Sequence, residues 1–550
     1  KRRRDCAEGR LFRIDGHFWR NPAATNHCNI SNYCLKRMTI NLVDHHLFKG
    51  KPKMLRYIIF LFFLAYGLQA QVIPLQQRVD WSHAGYPGNV PQPEKIVNIM
   101  DFMAAGNGMV NDQPAISKAI ASFQGNPGVV YFPAGIYLLQ SPITVPSHIV
   151  LRGQGNTSRL HFAHSSTGLS ISGKFGSNFV SVLSGYEKDS QSIVLDDASL
   201  FQPGDYAEIR QKNGEWDTKP ASWATFSVGQ IVRIEKIEQN ILYLETPLRI
   251  SYAASLSPEI RKILPAENAG IEMLYLERTD TSTTGTGHNI SFNLAVKCWV
   301  KAIESNKSQG SHCMIGQSSQ VEITGCYFHH AYKYDGGGTR GYGVTLNNHA
   351  GQCLIENNIF RYLRHAMMTK HGANGNVFSY NYSIEPYRNG DWEFPQDFPG
   401  DISLHGHFSY GNLFEGNIVQ TIFIDQTWGP SGPYNTIFRN RAELYGIIMT
   451  SDQTSHQNFV GNEVTKKGIL YGKYVLTGIG HFAYANNILG NIQPNAVSTL
   501  SDNSYYLAER PCFWNLPQWP CIGIPYSINS YSIPARERYL SGKNFTIYHH

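Results

Sequence analysis

The sequence predicts an all-β chain wound as a parallel β-helix, with a capping helix near its N-terminal end and a small β-rich insertion. Asparagines return at nearly constant spacing: Asn358, Asn381, Asn417, Asn440 and Asn462 sit in LIENNIF, VFSYNYS, LFEGNIV, IFRNRAE and FVGNEV, separated by 23, 36, 23 and 22 residues. A repeat of roughly 20–50 residues marks a stacked array in which each unit buries its apolar face against its neighbours. Each phrase couples a short β-branched or aromatic run to a turn-prone Asn that tolerates left-handed backbone. Composition agrees, since 50 glycines and 16% charged residues suit an all-β chain with many tight turns.

Met54–Ala70, MLRYIIFLFFLAYGLQA, has the basic start, short apolar run and small-residue end of a secretory signal, too short for a comfortable membrane span. Residues 1–53 then read as an upstream extension, and a chain opening on Lys1 fits that expectation. The mature chain is expected to be secreted, periplasmic or at the cell surface, with no membrane span. Residues 1–70 hold 13 Lys/Arg against 4 Asp/Glu, and residues 71–550 hold 34 against 37. The formal charge of +6 therefore belongs to the N-terminal segment, and no nucleic-acid partner is expected. Oligomeric state is unspecified.

Cys6, Cys28 and Cys34 of the nine cysteines fall in the extension. Export permits disulfides, and Cys512 with Cys521, closing PCFWNLPQWPC, is the best candidate pair. Cys326 and Cys353, about one coil apart, fit stacked buried thiols equally well. No Cys/His spacing suggests zinc.

After a polar, Pro-rich lead-in, Asn111 or Asp112 caps a helix with Pro114 in its first turn, and Ile116, Ala119, Ile120 and Phe123 form its buried stripe. Strands are expected at Val129–Phe132, Ile136–Leu139, Ile143–Val145 and Ile149–Arg152. These N-terminal coils span 95–180. Residues 181–252 read as alternating strands with Gly-Asp and Gln-Asn turns, a β-rich insertion on the flank of the coils. The main coils span 271–490. The tail, residues 500–550, is rich in Tyr, Pro and Trp and is expected to cover the last coils against edge pairing.

The phrase DFMAAGNGMVNDQPAISKAI…GVVYFPAGIYLL…ITVPSHIVLRGQG, within residues 95–162, resembles the opening of the pectate-lyase superfamily of single-stranded right-handed parallel β-helices. The family's usual Gly-Ala-Lys-Gly-Asp-Gly stretch reads Met103-Ala104-Ala105-Gly106-Asn107-Gly108 here, a structural departure. The resemblance implies the fold and says little of function. It leaves open lyase, hydrolase, epimerase or tail-spike roles.

Aligning coils on the asparagines sets Lys370 opposite Asn347, then opposite Gly406 between His405 and His407, then near Trp428. Arg364, His365, Lys370, His371, Asp401, His405, His407, Asp425 and Trp428 thus gather over coils about 4.8 Å apart. The longer step between Asn381 and Asn417 supplies a loop with Tyr387, Arg388, Asp391, Trp392, Glu393, Phe394 and Asp397, whose aromatics suit sugar stacking. For elimination from a uronate, Lys370 is the first candidate base, its charged form disfavoured by Arg364 and His371. His405 or His407 is the second. Arg364 and the histidines would hold the substrate carboxylate, while His365, His371, Tyr387, Arg388, Trp392 and Trp428 would bind sugar. A hydrolase would instead use Asp401 with Asp425, Asp452 lying one coil on. A non-catalytic carbohydrate-binding or adhesive protein is the alternative outside enzymes. Asp391, Glu393, Asp397 and Asp401 offer oxygen ligands for Ca2+, without EF-hand spacing. His349 and His456 read as turn residues, and His329-His330 marks a loop overhanging the groove. The Asn-Tyr-Ser sequon at 381–383 carries no weight, because Asn381 belongs to the inward ladder.

Overall fold

The computed structural model describes residues 71–390, 398–450 and 452–545. The expected extension and signal, and Asp391, Trp392, Glu393, Phe394 and Asp397, lie outside the described residues. Among the described residues thirty-one strands join in one sheet system, parallel apart from its closing hairpin. Each coil contributes three short strands: Glu322–Thr324, Tyr327–Ala331 and Tyr342–Asn347 are followed one coil later by Leu354–Glu356, Ile359–Arg361 and His365–Thr369. The pairs Ile323↔Ile355, Phe328↔Phe360 and Thr345↔Met368 set the register of the first, second and third sheets. Ile, Val, Leu and Phe fill the interior, where Phe328 stacks on Phe360 at 5.4 Å and Phe378 on Phe414 at 5.1 Å. The stack ends where Asn486–Ile488 pairs antiparallel with Asn491–Gln493. This is the right-handed parallel β-helix expected of the sequence.

The asparagines explain why the turns repeat. Asn417 Oδ1 accepts the backbone N–H and the side-chain amide of Asn381, both at 3.0 Å, while Asn381 Nδ2 also donates to Ile355 O. A turn amide without a strand partner is thereby satisfied inside the wall. The ladder runs through Asn440 and Asn462 to Asn486. A second ladder of Asn376, Asn412, Asn435 and Gln457 secures the turn between the third and first sheets.

The N-terminal helix is Gln113–Ala121. Asn111 Oδ1 accepts the Gln113 N–H, while Asp112 turns its carboxylate back to accept the amides of Ala105 and Gly106. The altered Met103–Gly108 stretch is thus tied to the helix start. Ile96–Asn98 and Asn107–Asn111 precede the helix as strands, and Gly128–Tyr131, Gly135–Leu139, Ile143–Thr144 and Ile149–Phe162 follow it. The last runs far beyond Arg152, because Gly-Gln-Gly forms a bulge rather than a turn. A Cβ on Gly153 would lie 2.5 Å from Met273 O, and Gly155 takes φ +84° where the pairing register shifts.

The insertion is a seven-stranded antiparallel sheet from Lys174–Phe175 to Glu259–Leu264, wider than 181–252, and it closes on itself where Tyr206–Gln211 pairs with Glu259–Leu264. Its own core holds Val182, Ile193, Ile209, Val232, Leu242 and Ile260. It docks on the turns between the third and first sheets. Both His349 ring nitrogens face acceptors there, Nδ1 toward Glu208 Oε1 and Nε2 toward Phe226 O, each at 2.8 Å. His349 is a turn residue with φ +61° and also the hinge pin of this contact.

The tail lies along the coils rather than over their open end. The outer face of the first sheet carries Leu354, Val377, Leu413 and Phe438 and that of the second Ile359 and Ile418, all in one buried cluster with Tyr505, Tyr506, Trp514, Ile522 and Ile533 of the tail. Cys512 and Cys521 do not form the expected bridge: Cys512 is exposed and Cys521 is buried. Cys326 and Cys353 are buried thiols but do not stack on each other. Cys326 donates its N–H to Asn358 and Cys353 its own to Asn376, one on each ladder. Among the described residues no helix is long and apolar enough to cross a membrane.

Candidate functional site

Strand pairing defines the site. On the third sheet Leu346 pairs with Thr369, Thr369 with Leu404, Leu404 with Ile424 and Ile424 with Met449. These residues are buried, and Leu346, Leu404, Ile424 and Met449 belong to the core. Each following residue therefore projects outward, because side chains alternate along a strand. Asn347, Lys370, His405, Asp425 and Thr450 form that outer column, one residue per coil. The same backbone bonding continues through it, with Lys370 N donating to Leu346 O, His405 N to Thr369 O and Asp425 N to Leu404 O. The asparagine alignment misses this row: it sets Lys370 opposite Gly406 and then Trp428, whereas Asp425 follows His405 by only 20 residues.

His405 and Asp425 form a dyad, Nδ1 donating to Oδ2 at 2.7 Å. Burial alone would push the Asp425 carboxyl up. The His405 charge and hydrogen bond and the Thr427 amide outweigh it, holding the carboxyl below its usual value. Lys370 makes no hydrogen bond or ion pair through Nζ among the described residues, and burial lowers its pKa. His365 donates Nδ1–H to Gly400 O and lies 5.5 Å, centroid to centroid, from His405. Burial, then the Arg364 and His405 charges, push it well down, so it stays neutral. Arg364 runs under the turn at Gly336, where a Cβ would clash with its guanidinium.

Next to this column stands an aromatic group that the sequence shows only in part. His371, His407 and Trp428 follow Lys370, His405 and Asp425 by one, two and three residues, and all three surround Trp223 of the insertion. The ring centroids lie 5.5, 5.1 and 5.6 Å from Trp223. Trp223 belongs to a segment that repeat alignment excludes, so its one sequence signal is a tryptophan within a polar loop. His407 donates Nε2–H to Lys219 O of the same segment. Burial first, then His349 and His407, lower His371 to about 3.

Other expected residues lie elsewhere. Asp401 is buried four register positions from the column and accepts from Ser383 Oγ and the amides of Gln420 and Thr421. Its oxygens tie two coils together. Tyr387 stacks on Tyr362 at 4.5 Å, and Tyr362 on His330 at 5.2 Å, an aromatic run along the connection from the second to the third sheet. Arg388 adjoins Tyr387 in this connection, and His329 joins His330 and Glu304 there. Asp452 is exposed, off the column. Among the described residues no three His, Cys, Asp or Glu side chains come together as metal ligands. Three of the four residues considered for Ca2+ lie outside them, and Asp401 is already satisfied.

A family model described as rhamnogalacturonase A/epimerase, pectate lyase-like, matches residues 96–196. No curated protein sequence matches the chain. Among solved structures, the Gp54 tailspike of Acinetobacter baumannii bacteriophage AP22, in complex with a capsular saccharide, is 10% identical over 70% of this chain and 69% of its own, with a TM-score of 0.40. The A-module of the mannuronan C-5 epimerase AlgE4 from Azotobacter vinelandii is 14% identical over 72% and 89%, with a TM-score of 0.35. The surface adhesin PfbA of Streptococcus pneumoniae is 11% identical over 72% and 88%, with a TM-score of 0.36. Residues 96–196 are thus similar to a pectate-lyase-like family model, and the capped, three-sheet winding already described is a right-handed parallel β-helix.

Proposed function

We propose that this is an exported enzyme acting on polysaccharide, and that it cleaves an acidic, uronate-containing chain by β-elimination on the outer face of the third sheet. The observation that carries the reading is the His405–Asp425 dyad, set one coil from Lys370 in a single outward column. Asp425 fixes the proton on Nδ1, which leaves Nε2 as the basic nitrogen. Nε2 takes the proton alpha to the uronate carboxylate. The released electron pair forms a carbon–carbon double bond to the neighbouring ring carbon, whose glycosidic C–O bond breaks; the leaving oxygen takes a proton from water, and His405 returns its own to solvent. Charge building on the carboxylate needs a cation or donor close by, and Lys370 supplies it. Lys370, the first candidate base by sequence, takes the stabilising role because no carboxylate partner orients it.

Hydrolysis is less well served. A glycosidase needs two available carboxyl groups, and Asp401 is buried with its oxygens already accepting from Ser383 Oγ and the amides of Gln420 and Thr421. The test is incubation with a panel of uronate polymers, followed at the absorbance of an unsaturated product. The expected result is absorbance growth in wild type and its loss in His405→Ala. Reducing ends without that absorbance would overturn elimination in favour of hydrolysis, and neither signal would favour a binder.

A further inference from the structure

The insertion puts Trp223 beside the reacting column, although no repeat requires it there. Trp223 is 50% exposed and Trp428 43% exposed, unusual for two indoles whose rings lie 5.6 Å apart. Trp223 comes from the short turn Ser222–Ala224, and Trp428 from the end of the coil that carries Asp425. The His371 and His407 rings stand perpendicular to Trp223, and burial keeps His371 neutral, so that ring acts as a spacer rather than a charge.

The same segment brings a cation. The Lys219 backbone carbonyl is fixed by His407 Nε2–H at 2.9 Å, and the residue lies over Gly429, whose added Cβ would stand 3.6 Å from the Lys219 Cβ. Lys219 is exposed and makes no ion pair through its side chain among the described residues. Thr218 Oγ donates to Gln453 Oε1 at 2.7 Å, pinning the loop to a later coil. Two half-exposed indoles, an exposed lysine and a loop tied down at Thr218 and Lys219 meet here. Indole faces favour the C–H surface of a pyranose ring, and an ammonium favours its carboxylate.

We propose that Trp223, Trp428 and Lys219 form a subsite that holds a uronate residue of the chain next to the sugar being cleaved, so that the insertion, not the coils, selects the substrate. This rests on the uronate reading above. Binding can be read without turnover in a His405→Ala background by titrating intrinsic tryptophan fluorescence with short galacturonate and alginate oligomers. A neutral malto-oligomer of equal length serves as the second arm.

The expected result is saturable quenching by at least one acidic oligomer. Trp223→Ala should weaken it at least about tenfold and Lys219→Ala about three- to tenfold, while Trp223→Phe recovers most of the affinity. Unchanged affinity in both Trp223→Ala and Lys219→Ala would overturn the subsite. So would quenching by the neutral oligomer as strong as by the acidic ones, or no quenching by either acidic oligomer. The subsite would survive, and only elimination would fall, if acidic oligomers bound as expected while the wild-type protein gave no unsaturated product.

Discussion

At His405 the tautomer is set from outside the ring, since the Asp425 carboxylate lies 2.7 Å from Nδ1 and is itself anchored by the Thr427 amide. Asp425→Asn keeps the shape but can offer its amide N–H toward Nδ1, which favours the wrong tautomer. Turnover is then expected to fall about 10²–10⁴-fold with an unchanged circular dichroism spectrum. A rate within threefold of wild type would remove Asp425 from the mechanism. Buried carboxyls away from the groove predict a pH effect on stability. Burial pushes Glu415 up to about 7, against 4.5 in the unfolded chain, despite hydrogen bonds from Ser504, Tyr505 and Tyr380. Asp401 rises to about 6 for the same reason. The folded state then keeps protons that the unfolded chain releases, so this contribution is full below the unfolded values and is lost as pH rises through 6 and 7. Glu208 has the opposite sign. Its burial is outweighed by His349 and Arg261, which hold it at about 2, so its contribution fades as pH falls below 4.5. Glu415→Gln should flatten the fall in thermal midpoint between about pH 5 and 7. An unaltered slope in that window would show that Glu415 is not the titrating group.

Among the elements, the two amide ladders do most to fix the winding. Asn440 accepts from the Asn417 backbone and side chain and donates to Phe414 O and Asn462 Oδ1. Asn440→Ala would orphan a buried N–H and a buried carbonyl, at about 1–3 kcal/mol each. A loss of about 2–5 kcal/mol is expected in urea denaturation; a change below 1 kcal/mol would mean that water replaces the amide. The first ladder was legible in sequence because identical residues at nearly fixed spacing need no tertiary knowledge. The second was less so, since it ends in Gln457 and begins under Cys353. The catalytic row was legible only as a neighbourhood. Asn381 and Asn417 keep phase for the turn between first and second sheets, but the connections leading into the third sheet vary in length. Phase carried from the ladder to His405 and Asp425 therefore slips by one and then by several residues. The insertion's seven-strand extent and Trp223 were hidden for a related reason, because the contacts that matter join segments with no shared period.

On the scale of the whole described body, 72–545, the coils supply a uniform wall and the additions give it distinct faces. The tail closes the apolar outside of the first and second sheets, and the insertion is pinned through the buried His349–Glu208 pair, which Arg261 and Gln317 also support. Breaking one partner of a buried pair strands the other. His349→Leu is thus expected to cost about 1–3 kcal/mol, softened by those two remaining partners. Hydrogen exchange should then report lost protection first in Tyr206–Gln211 and Val228–Glu238, ahead of the coil strands. Simultaneous loss throughout would show that the insertion and coils unfold as one unit.

The ladders guard two of the three corners in each coil and leave the passage into the third sheet without an amide lock. Residues can be added to or removed from that passage at little cost to the scaffold, as the extra length before Ile402–Leu404 already illustrates. A family built this way can widen, narrow or roof its cleft by lineage-specific changes at a single corner, so homologues sharing the wall should differ chiefly in what they admit.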